Sequence, residues 1–282
     1  MTAILLLSCA DQKGLVASIS NFIAENGGNI INLDEHVDSD AKMFFIRVEW
    51  EIGNLKFGKD ELHSKFKPLA EQFNAKWKIE FAEKKLKLAI FVSKYDHALQ
   101  EILWRYKLGE FEVEISAIIS NHNDLSLLAE NYNVPFYHIP ISKENKEEQE
   151  AKESELLKNI DVDLIVLARY MQILSANFVS QFPNKIVNIH HSFLPAFMGG
   201  NPYKQAFERG VKMIGATSHF VTNDLDEGPI IAQDIVQISH KDSVKDLVRK
   251  GRDLERLVLA KGLHCVLQHR VLVHKGKTIV FE

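Results

Sequence analysis

Apolar residues fall in short runs bounded by turn residues, and the rhythm of those runs changes partway along the chain. Residues 3–9 form an apolar run that predicts a strand, residues 15–25 carry helical spacing, and residues 42–50 predict a strand again. A second helix is predicted over residues 60–73 and a strand over 77–81. Asp11-Gln12-Lys13-Gly14 makes a turn before the first helix, and Asn26-Gly27-Gly28-Asn29 ends it with residues that tolerate positive φ. The order implied is βαββαβ, a ferredoxin-like sandwich.

Residues 82–87 are short, polar and lysine-rich, and beyond them the pattern becomes apolar strands separated by helical stretches. The boundary is therefore placed to give one domain over residues 1–84 and another over 85–282. Strands are predicted at 86–92, 113–120, 136–139, 164–168, 185–189 and 215–221, with helices between most of them. That alternation implies an α/β fold with a doubly wound, mostly parallel, Rossmann-like sheet. The mixed-charge run 143–158 reads as the solvated face of a helix, with no functional weight.

The 282 residues exceed what one small domain usually takes, and a hydrophobic share of 46% with 26% charged residues describes a folded globular chain. A net charge of −4 supplies no sequence-wide basic field, so nucleic acid is not an expected partner. No apolar stretch reaches the roughly 18–20 residues of a membrane span, and residues 1–9 lack the basic start and cleavage site of a signal peptide. Cys9 and Cys265 are too few for a disulfide framework, which fits a reduced, cytoplasmic setting. The twelve histidines show no zinc-binding spacing, and no metal is expected.

Candidate chemistry gathers at the end of one strand. In Asn188-Ile189-His190 the period of two aims the amide and the imidazole the same way while Ile189 points into the core. Open α/β sheets bind ligands at the carboxyl ends of their strands, where this pair sits. Residues 222–229, Thr-Asn-Asp-Leu-Asp-Glu-Gly-Pro, form an acidic loop after the later strand, from which Asp226 can reach His190.

Asn-Ile-His at 188–190, Ser-Phe-Leu-Pro at 192–195, Leu-Asp-Glu-Gly-Pro at 225–229 and Ala-Arg-Tyr-Met-Gln-Ile-Leu-Ser at 168–175 together resemble the folate-dependent formyltransferase family across residues 86–269. Any one of them alone would be weak evidence; four in order are specific. Members that formylate a ribonucleotide carry a glycine-rich phosphate loop after the first strand, where backbone N–H groups wrap the phosphate. Here Val92-Ser93-Lys94-Tyr95-Asp96-His97-Ala98 contains no glycine, and its side chains crowd that approach. Without that acceptor, water remains. His190-His191-Ser192, Gly199-Gly200-Asn201-Pro202-Tyr203 and the N-terminal ACT-type half are similar to the hydrolytic branch of the family.

The resemblance implies hydrolysis of 10-formyltetrahydrofolate to formate and tetrahydrofolate, which supplies formate for purine synthesis and balances the one-carbon folate pool. It needs no cofactor beyond the folate itself. Asn188 and His190 would stabilise the oxyanion and Asp226 would move protons. The backbone of Gln172 to Leu174 and of Asn223, Asp224, Leu225, Asp226 and Glu227 would bind the pterin, with Met171 and Ile173 packing on it. Thr217 would anchor an ordered water, and His191 would bind water or cap the following turn. His219 is equally readable as a structural histidine, and Asp224 and Glu227 as turn formers. The ACT-type half implies a homo-oligomer, dimer or tetramer, and a possible amino-acid effector, with assembly favoured over sensing. Formyl transfer to an amine, and folate or amino-acid binding without turnover, are the competing readings.

Overall fold

The computed structural model describes residues 1–196 and 201–282, so Gly199 and Gly200 lie outside the described residues. Two compact units emerge. The first comprises Met1–Lys85 together with Gln268–His274 and Ile279–Glu282. Its elements are β1 (Thr2–Ala10), α1 (Leu15–Glu25), β2 (Asn29–Asp38), β3 (Met43–Glu51), α2 (Leu62–Gln72) and β4 (Lys76–Phe81). The antiparallel sheet runs β2-β3-β1-β4. Leu5, Leu7, Ile46, Val48 and Trp50 from the sheet meet Ile19 and Ile23 of α1 and Phe66 of α2 in one core.

Apolar spacing does not locate β2, because most of its side chains are exposed along the sheet edge. The turn before it requires Gly28: a Cβ there would lie 2.7 Å from both the Ile23 and Trp50 side chains. Leu6 and Phe45 form a smaller cluster with Phe281, which is buried. The domain boundary is corrected accordingly, since Gln268–His274 and Ile279–Glu282 belong to the first unit. Packing against a strand more than two hundred residues earlier decides this, and no local periodicity reports such a contact.

The second unit comprises Leu86–Leu267 with Lys275–Thr278. In order it contains β5 (Leu86–Val92), α3 (His97–Lys107), β6 (Val113–Ser120), α4 (Ser126–Asn131), β7 (Phe136–His138), α5 (Lys146–Asn159) and β8 (Leu164–Leu167). Then follow α6 (Ala176–Gln181), β9 (Ile186–His190), α7 (Pro202–Arg209), β10 (Met213–Phe220), β11 (Ile230–Gln237) and α8 (Val244–Leu267). A last hairpin pairs β12 (Val271–His274) with β13 (Lys277–Val280).

The main sheet has the order β11-β10-β9-β8-β5-β6-β7. Its five strands from β9 to β7 are parallel, and β10 runs antiparallel to both of its neighbours, β9 and β11. Strands β5 and β8 are apolar runs buried almost throughout, as expected of parallel strands covered on both faces. The chain winds outward from β5 to β7, then returns to the other side of β5 with β8 and β9. That reversal opens a crevice at the carboxyl ends of β5 and β8.

Helix α5 carries most of the mixed-charge run 143–158 and has a buried face beside the solvated one. Glu150, Glu153, Ser154 and Leu157 are buried on its inner face. No helix among the described residues is long and apolar enough to cross a membrane.

Candidate active site

Strand β9 presents Asn188 and His190 on one face, and β10 pairs with it so that His219 lies opposite Asn188 and Thr217 opposite His190. The His219 ring places Nδ1 2.9 Å from the Phe220 carbonyl, which only accepts, so Nδ1 carries the proton. In the neutral ring Nε2 is then an acceptor, and the Asn188 amide donates to it across 3.2 Å. Burial holds the His219 imidazole below its ordinary range, which keeps it neutral despite the Phe220 carbonyl and Asp226. One hydrogen of the Asn188 amide is spent on this contact, and the second remains for a ligand.

Asp226 arrives from the loop between β10 and β11 with φ at 60°, a left-handed conformation that Asp and Asn adopt more readily than most residues. Its Oδ1 sits 3.1 Å from His190 Nδ1 and 4.0 Å from His219 Nε2. Burial pushes the Asp226 carboxyl up, but the hydrogen bond and charge of His190 outweigh it and hold the group below the usual range. His190 Nε2 is buried with no hydrogen-bond partner among the described residues, a costly state unless a ligand completes it.

These groups open on a cleft of about 580 Å³. Met171, Gln172, Ile173 and Leu174 line it from the segment after β8, and Asn223, Asp224, Leu225 and Asp226 from the loop after β10. Met171, Ile173 and Leu225 leave about half or more of their surfaces exposed, at 52%, 61% and 53%. Apolar side chains left uncovered around a concave polar site offer packing for a flat ring. The Met171 N–H donates to Ser93 Oγ and the Ile173 carbonyl accepts from Lys146, which fixes the path of this wall.

Residues 86–263 match the formyl transferase family and residues 3–49 match the ACT domain. A formyltetrahydrofolate deformylase of Synechocystis sp. is 55% identical over 281 residues, covering 100% of this chain and 99% of the relative. The chain belongs to the formyltetrahydrofolate deformylase family. A Bacillus subtilis formyltetrahydrofolate deformylase is 49% identical, covering 99% of this chain and 93% of the relative. The crystal structure of a formyltetrahydrofolate deformylase from Pseudomonas syringae pv. tomato superposes with a TM-score of 0.98 at 43% identity, covering 100% of this chain and 94% of that one.

In this deformylase-family chain, Asn188, His190, His191 and Asp226 all line the one cleft, together with the seven flanking residues just named. Thr217 and Glu227 do not. The Thr217 hydroxyl is fully buried; it donates to the Ser192 carbonyl and accepts from the Leu194 N–H and Gln233 Nε2. That leaves no valence for an ordered water, so its work is to hold the segment after β9. Glu227 is exposed and closes the turn with its N–H to the Asp224 carbonyl.

Glu255 is a cleft residue that sequence reading missed. Completely buried, its carboxylate accepts from His97 Nε2 at 2.9 Å and from the Tyr203 hydroxyl, and it pairs in charge with Arg169, whose Nε lies 3.3 Å away but has no hydrogen-bond partner among the described residues. Burial pushes it up, but His97, Arg169 and Tyr203 together hold it below the carboxylate range. A signal was present, since Glu255 interrupts the apolar stripe of Leu247, Leu254, Val258 and Leu259 on α8. His191 packs edge-on to His190 and Tyr203, at ring separations of 5.1 and 5.9 Å. Burial, reinforced by the Arg169 charge, lowers its imidazole to about 4.

Behind the 171–174 wall, the Tyr170 hydroxyl donates to Glu153 Oε1 at 3.2 Å, while Glu153 Oε2 is buried without a hydrogen-bond partner among the described residues. Burial raises this carboxyl to about 7, against the Tyr170 hydrogen bond and with the help of Glu150. A carboxyl with a raised folded value adds stability fully below its ordinary value and loses it as pH rises through 7. Glu153→Gln, which still accepts from Tyr170, should therefore gain stability over the native chain by roughly 3 kcal/mol between pH 4.5 and pH 8. Denaturant melts at both pH values test this; equal differences at the two would remove the buried charge from the account.

Proposed function

We propose that this cleft hydrolyses 10-formyltetrahydrofolate to formate and tetrahydrofolate, as the names of its relatives suggest. The observation that carries this reading is the meeting of the Asn188 amide, the His190 imidazole and the Asp226 carboxylate at the carboxyl end of β9. Hydrolysis of an N-formyl group needs donors for a developing oxyanion and one group that manages protons.

In the proposed reaction the pterin lies against Met171, Ile173 and Leu225, with backbone groups of residues 172–174 and 223–226 along its edge. Water adds to the formyl carbon, and the charge that gathers on the formyl oxygen meets the free Asn188 N–H and the Nε2–H that His190 presents as an imidazolium paired through Nδ1 with Asp226. Asp226 Oδ2 takes a proton from the water and returns it to N10 as the C–N bond breaks. These steps use side chains alone, so no cofactor beyond the folate is invoked. His191, neutral and against His190, is a candidate to orient the water.

The ACT unit, as we read it, serves assembly into a homo-oligomer more than amino-acid sensing. Strand β2 supports this as an open sheet edge with unpaired backbone on one side. A cytoplasmic setting suits a folate substrate and a chain with no membrane-crossing helix among its described residues. The test is purified protein with 10-formyltetrahydrofolate and no amine. Formate and tetrahydrofolate should appear in equal amounts, whereas consumption that waits for an added amine would refute hydrolysis.

A further inference from the structure

The segment that forms the cleft wall after β8 is held from behind by three side chains that share one face of α5. Lys146, Glu150 and Glu153 recur at i, i+4 and i+7, so the helix stacks them in a row. Each takes a different point of the wall. The Tyr170 hydroxyl donates to Glu153 Oε1 at 3.2 Å, Lys146 Nζ donates to the Ile173 carbonyl, and the Ser175 N–H donates to Glu150 Oε1 at 3.0 Å. Ser175 in turn caps α6, its Oγ accepting from the Phe178 N–H at 3.1 Å. Residues 170–174 line the cleft, and the two glutamates are buried behind them.

We propose that Lys146, Glu150 and Glu153 are positioning residues for folate, and that Glu153 must be protonated for the wall to stand in its binding conformation, so that folate binds more weakly as the medium turns alkaline. This rests on the hydrolytic reading above for the identity of the ligand and adds a control on its binding. Glu153 Oε2 is buried without a hydrogen-bond partner among the described residues, which a neutral acid tolerates far better than an anion.

Burial opposes the charged form of Glu153, the Tyr170 hydroxyl favours it, and the like charge of Glu150 one helical turn away opposes it again, which together set the carboxyl at about 7. Lys146 spends its charge on Glu150, at 3.8 Å. Helix α6 and strand β8, which share this core, carry no titratable side chain, and Tyr137 of β7 is the other ionisable group packed on it. Ionisation therefore places a second negative charge behind the wall. Water is the relief open to it, and water enters as α5 parts from the segment between Tyr170 and Ser175.

Tetrahydrofolate, the product in the hydrolytic reading, is the probe, because its binding is read without turnover. Its Kd is measured by calorimetry on the full chain from pH 6 to pH 8, for the native protein and for Glu153→Gln, which still accepts from Tyr170 and cannot ionise. Ionisation of the ligand, or of His190 and Asp226, is common to both proteins and cancels in the ratio of the two Kd values. If the protonated form alone holds the wall, the competent fraction falls to about a tenth one pH unit above the midpoint, so the native-to-variant ratio should rise severalfold across this range. Glu150→Ala should raise KM for 10-formyltetrahydrofolate about fivefold, the worth of one net hydrogen bond, and should act on KM more than on kcat. Glu150→Gln, which again accepts from Ser175, should restore most of that loss. A Kd ratio that stays flat from pH 6 to pH 8 would overturn the proposal, whether or not Glu150→Ala folds, and would leave formate release by the native protein untouched. The expected rise in that ratio without any formate release would instead refute the hydrolytic reading and leave the positioning role standing.

Discussion

Replacing Asp226 with asparagine should lower kcat by at least about 10²-fold with little change in fold, the loss typical of removing a general acid–base group. The substitution preserves shape, and asparagine tolerates the left-handed φ of 60° as aspartate does. What it removes is charge and basicity. The native carboxylate accepts from His190 Nδ1 at 3.1 Å and is held ionised by that contact. An amide in its place cannot take a proton from water, and its NH₂ group can rotate toward His190 Nδ1 and reverse the ring's hydrogen-bond pattern. Steady-state formate release with a thermal melt as control decides the matter. A kcat within tenfold of native, from a folded variant, would remove Asp226 from proton transfer.

Asn188→Ala should cost kcat about 10²- to 10³-fold, the range for losing one oxyanion donor, with a smaller effect on KM. The reasoning depends on how the amide is anchored. His219, neutral and protonated on Nδ1, takes one of the two amide hydrogens, which fixes the direction of the other toward the cleft. Asn188→Asp is the sharper comparison, since it keeps volume but offers only acceptors to a developing negative charge. It should be at least as impaired as the alanine variant. A loss confined to KM in both would mean that Asn188 binds substrate without favouring the transition state.

Most of the fold was legible because its signals are local. Strands such as β5, β6 and β9 are compact apolar runs, and the period of two in β9 was enough to align Asn188 with His190. The acidic loop after β10 carried Asp226 into reach of His190 because β10 pairs directly with β9. Edge strands β2 and β11 escaped, since one-sided or exposed strands dilute the apolar rhythm. The assignment of the C-terminal segments to the first unit escaped for a different reason: the burial of Phe281 against Leu6 and Phe45 is purely long-range.

Side-chain fates were the least readable. Thr217 looked like a water anchor from its position, but its hydroxyl is consumed by Ser192, Leu194 and Gln233, and sequence spacing carries no account of hydrogen-bond valence. Glu150 and Glu153 were hidden in a charge-rich helix whose composition masks which face turns inward. Glu255 could have been found as the acid on an otherwise apolar stripe, although its partners His97, Arg169 and Tyr203 lie on other elements.

The most direct test of the central claim is a double-mutant cycle on kcat for formate release between Asn188→Ala and Asp226→Asn. Groups that act together on one carbonyl lose their joint contribution once, so the double variant should be about as slow as the slower single variant. If the two losses multiply in full, the amide and the carboxylate do not serve the same reacting centre.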